Sequence, residues 1–370
     1  MDKHRSMKIS RPLIISFILI LTAIFLAGCS GGTLATSWPG LLVDKNTGYL
    51  ADNTFVYAVN LDNGSLKWKY PPDKGNNKIS FFAPPVMTVD GTQLIVGGYD
   101  HVLYSLDPNN GTVLWTFPLT GGTGAKDRYI ASPLVTAQGI FAPNADGYLY
   151  ALDLKGNQLW PPFQTPQPLW AQPATDAKCQ CLYIASMDHH MYAIDATSGS
   201  QIWKSPELGA AVVAAPTIGE DGTIFVGTFG KEMLALDSAT GNIKWRLSTT
   251  DWVWSSAAQQ DGSIFFGDLK GTFYSLTTSG KQNWSKQVDG LIVGTPLVAD
   301  NLVFFATETG TVYATDYQGN PSWNTTVNGK IYSPVLTNGD TIYVTPSEGD
   351  ALLVALTTTG TPKWSFVAPK

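Results

Sequence analysis

Few side chains in this 370-residue chain could do chemistry: it holds three cysteines and four histidines, and only 14% of its residues are charged. The densest group is Cys-Gln-Cys at Cys179–Cys181, followed by Asp188, His189 and His190. Thiolates, imidazoles and a carboxylate together would suit a zinc ion. The intervening segment Leu182–Met187 reads as a strand, however, whose rise separates the two clusters by roughly 20 Å. A shared metal site is therefore not expected. Outside the cytoplasm the two thiols could instead pair, and the sequence leaves paired and free thiols equally open. His101 and His189 align with the turn glycines Gly147 and Gly271, which marks them as exposed loop residues. No nucleophile elbow, nucleotide loop or zinc spacing is present in the sequence.

The third cysteine stands in a different context. Lys3, His4, Arg5, Lys8 and Arg11 precede an apolar run, Leu13–Ala27, which ends at Leu26-Ala27-Gly28-Cys29. A basic start and a short apolar stretch make a secretory signal, too short for a comfortable membrane span. Small residues followed by cysteine resemble the bacterial lipobox. That resemblance implies removal of residues 1–28 and lipidation of Cys29, the alternative being an uncleaved anchor. More than one acyl chain would hold the protein stably on a membrane. Residues 29–37 then form the lipidated cysteine and a tether, Ser30–Ser37, that reaches less than ~30 Å. Ser30 is not the aspartate associated with inner-membrane retention. The expected location is extracytoplasmic: the outer membrane if the cell has one, otherwise the outer face of the cytoplasmic membrane.

The elements that would position any site are written in a repeat. Met191–Trp203 reads MYAIDATSGSQIW, an alternating strand, an aspartate-opened turn with Gly199, and a tryptophan on the returning strand. Related stretches end at Trp68, Trp115, Trp160, Trp203, Trp245, Trp284, Trp323 and Trp364, each tryptophan four residues after a glycine. The intervals between them are 47, 45, 43, 42, 39, 39 and 41 residues. Each unit adds two further strands upstream, one ending near a proline, separated by turns such as Asp221-Gly222 and Asp300-Asn301. No helical period intervenes. Four short antiparallel strands at this interval read as propeller blades, so residues 38–370 are expected to form an eight-bladed, all-β propeller.

The pattern Leu-Tyr-Ala-Leu-Asp-x-x-Thr-Gly-x-x-x-Trp resembles the tryptophan-docking repeat of quinoprotein-type propellers. That group includes the pyrroloquinoline quinone (PQQ) dehydrogenases and the lipoprotein BamB. The resemblance covers nearly all of 38–370 and implies that each of the eight tryptophans packs on the neighbouring blade. Asn60, Thr277 and Thr357 replace the turn aspartate, and looser turns are expected there. A PQQ dehydrogenase would need cations and amides for the quinone carboxylates, bound Ca²⁺, an aspartate base, long walling loops and adjacent cysteines. Here about 43 residues per unit are nearly used up by strands and turns, and Gln180 separates the cysteines. The resemblance therefore implies a non-catalytic, BamB-like binding scaffold with no cofactor. Its partners would be envelope proteins, including an outer-membrane assembly complex. PQQ and Ca²⁺ belong to the alternative, a quinone enzyme or quinone-binding propeller. A sensor or solute-binding lipoprotein is a second alternative.

Composition narrows the partners further. A pI near 5.2 with a net charge of −6 leaves no electrostatic footprint for nucleic acid. The sequons at Asn63, Asn110, Asn283 and Asn324 fall at or beside repeat turns and read as turn chemistry. Aligning the first strands on their prolines brings Phe82, Ile130, Trp170, Val213, Trp254, Val293 and Ile331 to one level. Arg128, Tyr129, Trp252, Lys330 and Tyr332 lie beside it. These residues are candidates for an aromatic, mildly cationic mouth for a ligand or peptide, the alternative being aromatics packed between blades.

The lipobox makes a direct prediction. Cys29→Ala should abolish metabolic lipid labelling and leave a slower-migrating precursor on gels; normal processing and membrane retention of that variant would refute the anchor.

Overall fold

Alternation of apolar and polar residues, punctuated by turn glycines, builds eight antiparallel sheets of four strands each. The computed structural model describes residues 38–73, 79–118, 124–176 and 178–369. Both the signal segment 1–28 and the tether 29–37 lie outside them. Residues Trp38–Lys370 form one unit, an eight-bladed β-propeller. Its blades are 40–70, 86–117, 134–164, 174–204, 217–248, 258–287, 297–326 and 336–366. In every blade four consecutive strands pair in chain order, so none is shared between the first blade and the last.

Strand position fixes burial. The second strand of blade 5, Thr223–Thr228, is buried throughout, whereas its fourth, Ile243–Ser248, alternates half-buried and exposed residues. Apolar clusters lie between blades rather than within them. One joins Tyr183 and Trp203 of blade 4 to Ile224 and Val226 of blade 5. Another joins Leu41 and Tyr57 of blade 1 to Tyr343 and Phe366 of blade 8, which closes the ring. A hydrogen bond from Thr345 Oγ1 to the Pro39 carbonyl, 3.2 Å, crosses the same seam.

The tryptophans mark the blade junctions. A register shift precedes the tryptophan in seven blades, for example between Ala193 and Ile194. Such bulges re-aim the residue that follows. Trp203 then lies against Gly241 of the next blade, where an added Cβ would fall 2.5 Å from the ring. Gly241 also has φ 72°, a conformation that glycine adopts at no steric cost. The same pairing recurs around the ring, ending with Trp364 on Gly64. Trp160 and Trp203 are buried, and the other six docking rings are half-buried. Blade 3 departs from the pattern. Pro161 and Pro162 cannot donate ladder bonds, and its fourth strand shrinks to Phe163–Gln164.

Turns at the replaced aspartates are not looser. Asp316 Oδ1 accepts the Asn320 N–H at 2.7 Å; the Thr277 and Thr357 hydroxyls accept the equivalent Lys281 and Thr361 N–H groups at 3.1 and 3.0 Å. Asn60 uses its side-chain carbonyl for the Asp62 N–H at 2.9 Å. A hydroxyl or amide oxygen is enough of an acceptor for this turn.

One carboxylate on the frame lacks such help. Asp268, at the end of blade 6's second strand, accepts from the Tyr274 hydroxyl at 2.9 Å and the Thr272 N–H at 2.9 Å. At the equivalent place in blade 1, no described residue donates to the Asp52 carboxylate, and burial pushes its pKa up to about 6.

Two stability predictions follow from the frame. Trp203→Ala should cost about 3–5 kcal/mol in urea unfolding; Gly241→Ala, which drives a Cβ into the same ring, should also destabilise, and wild-type midpoints in both would refute the junction. Because Asp52 holds its proton more tightly folded than unfolded, its stability contribution is full below about pH 4. It is lost as pH rises through about 6, by at most about 3 kcal/mol. Asp52→Asn should flatten that component of the pH profile, measured as the wild-type minus variant difference between pH 4 and pH 8.

Candidate functional site

The residues just ahead of each first strand alternate between two jobs. Ahead of blades 2–8 one residue plugs the gap between blades, and ahead of blades 3–8 its successor faces the axis. The plugs are Phe81, Tyr129, Leu169, Val212, Val253, Ile292 and Ile331, all buried. They fit because the preceding blade supplies a glycine in three cases. A Cβ on Gly97 would lie 2.5 Å from Tyr129, and Cβ atoms on Gly227 and Gly267 would lie 2.4 Å from Val253 and Ile292.

This alternation corrects two expectations. Tyr129 does not join the mouth: it is fully buried among Leu103, Phe117 and Ile140, with no partner for its hydroxyl among the described residues. Ile331 is likewise a plug, and Tyr332 takes its axial place. The cause is one extra residue between proline and strand: Leu336 begins the blade 8 strand two residues after Pro334, whereas Leu134 follows Pro133 directly.

The axial residues line an open pocket of about 170 Å³. Ile130, Trp170, Val213, Trp254, Val293 and Tyr332 line it, with Ser132, Gln172, Ser256 and Thr295 as its polar groups. Trp38 completes the ring for blade 1, its centroid 5.6 Å from Trp254 and 5.4 Å from Tyr332. Sequence alignment on prolines missed Trp38, because blade 1 carries Pro39 one residue after it. Strand register does find it: Leu42, opposite Tyr49, stands four residues after Trp38 as Leu134, opposite Phe141, stands four after Ile130. Phe82 stands aside, packed edge-on against Tyr99 at 4.9 Å. The Trp170 indole N–H is buried without a partner among the described residues.

The rim is aromatic but not cationic. Trp252, 43% exposed, stacks on Phe229 at 4.7 Å, and Phe229 touches Trp254 at 5.3 Å. Lys330 lies 3.4 Å from both Glu308 and Glu348, Arg128 lies 3.5 Å from Asp127, and Lys231 lies 3.1 Å from Asp251. Each cation is thus matched by a carboxylate, which corrects the expected positive mouth. Arg128 also sits over the Tyr99 ring at 5.4 Å. Burial raises the Tyr332 phenol pKa, and donation to Glu308 at 3.0 Å adds to that shift. Tyr332 is the one titratable side chain of the described lining, so the cavity offers surfaces for stacking and hydrogen bonding rather than an acid–base pair.

The other candidate cluster is dispersed. Cys179 and Cys181 are joined by a disulfide. Asp188 accepts from the Tyr192 hydroxyl, His190 Nδ1 lies 2.9 Å from the Ser205 carbonyl, and His189 lies 3.2 Å from Glu207. His101 and His189 hold turn positions with φ 70° and 69°. Among the described residues no group of three His, Cys, Asp or Glu side chains could hold a metal ion, and no helix is long and apolar enough to cross a membrane.

Fold and cavity define the class: a tryptophan-docked, eight-bladed β-propeller with an aromatic axial pocket. Residues 52–178, 171–253, 248–323 and 301–370 match the family model described as outer membrane protein assembly factor BamB, and the chain belongs to that family. Among its relatives, BamB of Nitrosomonas eutropha is 27% identical over 46% of this chain and 39% of its own length. BamB of Legionella pneumophila is 23% identical over 50% of this chain and 48% of its own. A tetrathionate hydrolase of Acidithiobacillus ferrooxidans is 27% identical over 53% of this chain and 34% of that protein. The chain thus spans less than half the length of these relatives. Among solved structures, BamB from Moraxella catarrhalis superposes with a TM-score of 0.70 at 15% identity, over 85% of this chain and 94% of that one. The computationally designed Ika8 protein gives 0.70 at 14% identity, over 90% and 96%. These two likenesses bear on fold alone.

Proposed function

We propose that this chain is a lipid-anchored, extracytoplasmic propeller that works by binding, as a non-catalytic scaffold in the assembly of outer-membrane proteins. Residues 1–28 direct export, Cys29 carries the lipid, and 30–37 tether the ring close to its bilayer. The observation that carries this reading is the match to the BamB model along 52–370. The lining of the axial pocket supports it. A quinone with carboxylates and Ca²⁺ needs cations and carboxylates on the pocket wall; this wall presents indoles, aliphatics, hydroxyls and one amide. The residues present do not fit that group. Arg128, Trp170, Trp252, Trp254, Lys330 and Tyr332 then serve as a contact surface at the channel mouth.

A catalytic reading draws on one observation, the tetrathionate hydrolase relative. On that reading the reactive groups would lie outside the axial pocket, among the loops at the blade ends.

The two readings separate in solution. Purified protein should show no tetrathionate loss and no alcohol- or sugar-dependent dye reduction with PQQ and Ca²⁺, while crosslinking in the native envelope captures a component of outer-membrane protein assembly. Substrate-dependent turnover of tetrathionate, or dye reduction with PQQ and Ca²⁺, by the purified protein would reverse the assignment.

A further inference from the structure

The two faces of the propeller differ in what they expose. Interblade connections, the second-to-third-strand turns and the chain entering at Trp38 share one face. The first-to-second and third-to-fourth turns share the other. On that second face, between blades 2 and 3, a groove of about 320 Å³ is lined by Val89, Asp90, Asp153, Leu154 and the turn 136–139. This volume lies at the small end of ligand sites, a size suited to side chains. Val89 is 73% and Leu154 39% exposed, and Leu159, 44% exposed, lies against Gly139 on the groove wall. Large exposed apolar side chains grouped in one place mark a contact surface more strongly than scattered ones.

The groove is held open by the blade junction itself. The Leu154 carbonyl accepts from the Trp115 indole at 2.9 Å and from Gln93 Nε2 at 2.9 Å. Its backbone is therefore fixed by the docking contact while its side chain faces outward. Preorganisation of this kind lowers the ordering cost of binding. Leu159 is fixed too, its N–H donating to the Ala151 carbonyl at 2.8 Å beside the shortened fourth strand of blade 3.

Charge selects the occupant. Asp90 and Asp153 are the two charged side chains of the lining. Bonds from the Thr88 hydroxyl and from Thr92 hold the Asp90 carboxyl below its ordinary range. Burial works against ionisation of Asp153, but bonds from Asn157 and Lys155 outweigh it and lower its pKa as well. Lys155, next in the same turn, offsets part of the Asp153 charge, so Asp90 is the principal anion.

We propose that the groove between blades 2 and 3 docks a segment of another protein that presents an apolar side chain flanked by lysine or arginine. This rests on the reading of the chain as a binding scaffold and names a surface for it.

Three fluorescent octapeptides test the proposal by anisotropy with the mature chain. One carries a Leu-Phe pair flanked by lysines, the second flanks the pair with glutamates, and the third replaces the pair with serines. The lysine-flanked peptide should bind about tenfold tighter than either counterpart. Leu154→Asp should lose about tenfold in affinity, and Asp90→Lys should turn the preference toward the glutamate-flanked peptide. Val89→Asp, on an exposed turn, carries the test if Leu154→Asp does not fold. No binding, equal binding of the three peptides, or affinity untouched by Val89→Asp would overturn the proposal. So would a self-association abolished by Val89→Asp, which assigns the groove to a second copy. Envelope crosslinking that survives Val89→Asp while the peptides fail to bind would sink the groove and leave the scaffold standing.

Discussion

Everything in this molecule depends on an indole ring laid flat on a glycine of the next blade. A four-stranded sheet this small cannot bury both of its faces alone, so each blade is stable only between two others. The ring–glycine contact fixes their spacing, since a Cβ at Gly111, Gly156, Gly199 or Gly280 would come within 2.6–2.7 Å of the indole. The indole N–H fixes the rest. In seven junctions it donates across the gap to the residue after the turn aspartate or its replacement, from Pro108 through Ser238 to Thr358, at 2.8–3.2 Å. One residue type thus supplies area, shape and a directional bond.

A frame held this way leaves its function at the margins. The middle strands are buried on both faces, and their polar groups satisfy one another, as in the Asp268–Tyr274–Thr250 network. Differences between blades include the axial residues, the interblade connections and the turns. The axial level shows how little it takes to diversify such a site. Plug and channel residue alternate by one position, so an indole at Trp170 or Trp254 and a valine at Val213 or Val293 sit on the same backbone. Aromatic rings from blades 1, 4, 6 and 8 narrow the channel to a pocket whose chemistry is contact.

Much of this was legible in the sequence because the repeat is periodic. Eight tryptophans at near-constant spacing give the blade number, and the resemblance to the quinoprotein repeat implies their docking on the neighbouring blade. What was not legible lies where the period slips. The extra residue after Pro334 moves Tyr332 into the channel and Ile331 out of it, and an alignment on proline cannot see the shift. Tyr129 looks like a mouth residue by type, yet it is a plug because Gly97 stands opposite, a pairing across blades that no local pattern carries. The charges of the rim misled for a similar reason. Arg128 and Lys330 are visible as cations in the sequence, but the carboxylates that neutralise them come in part from other turns, Glu308 and Glu348 for Lys330.

The seam between blades 8 and 1 shows what happens when one component of the junction is missing. Trp364 packs on Gly64 like the others, yet among the described residues its buried indole N–H has no partner. Leaving a buried donor unsatisfied costs on the order of 1–3 kcal/mol. No strand is exchanged across this seam to offset that, since blade 1 begins and ends within 40–70. Apolar packing fills the gap instead. Phe366 meets Tyr57 at 5.5 Å, Tyr343 backs Trp364 at 6.0 Å, and Leu41, Leu50 and Leu353 are buried between them. Burial of one such side chain contributes roughly 1.5–3 kcal/mol, so a single additional plug is enough to match the lost bond. Among the described residues the ring therefore closes by side-chain area and the Thr345–Pro39 bond, and its closure depends on the identities of those few residues more than any other junction does.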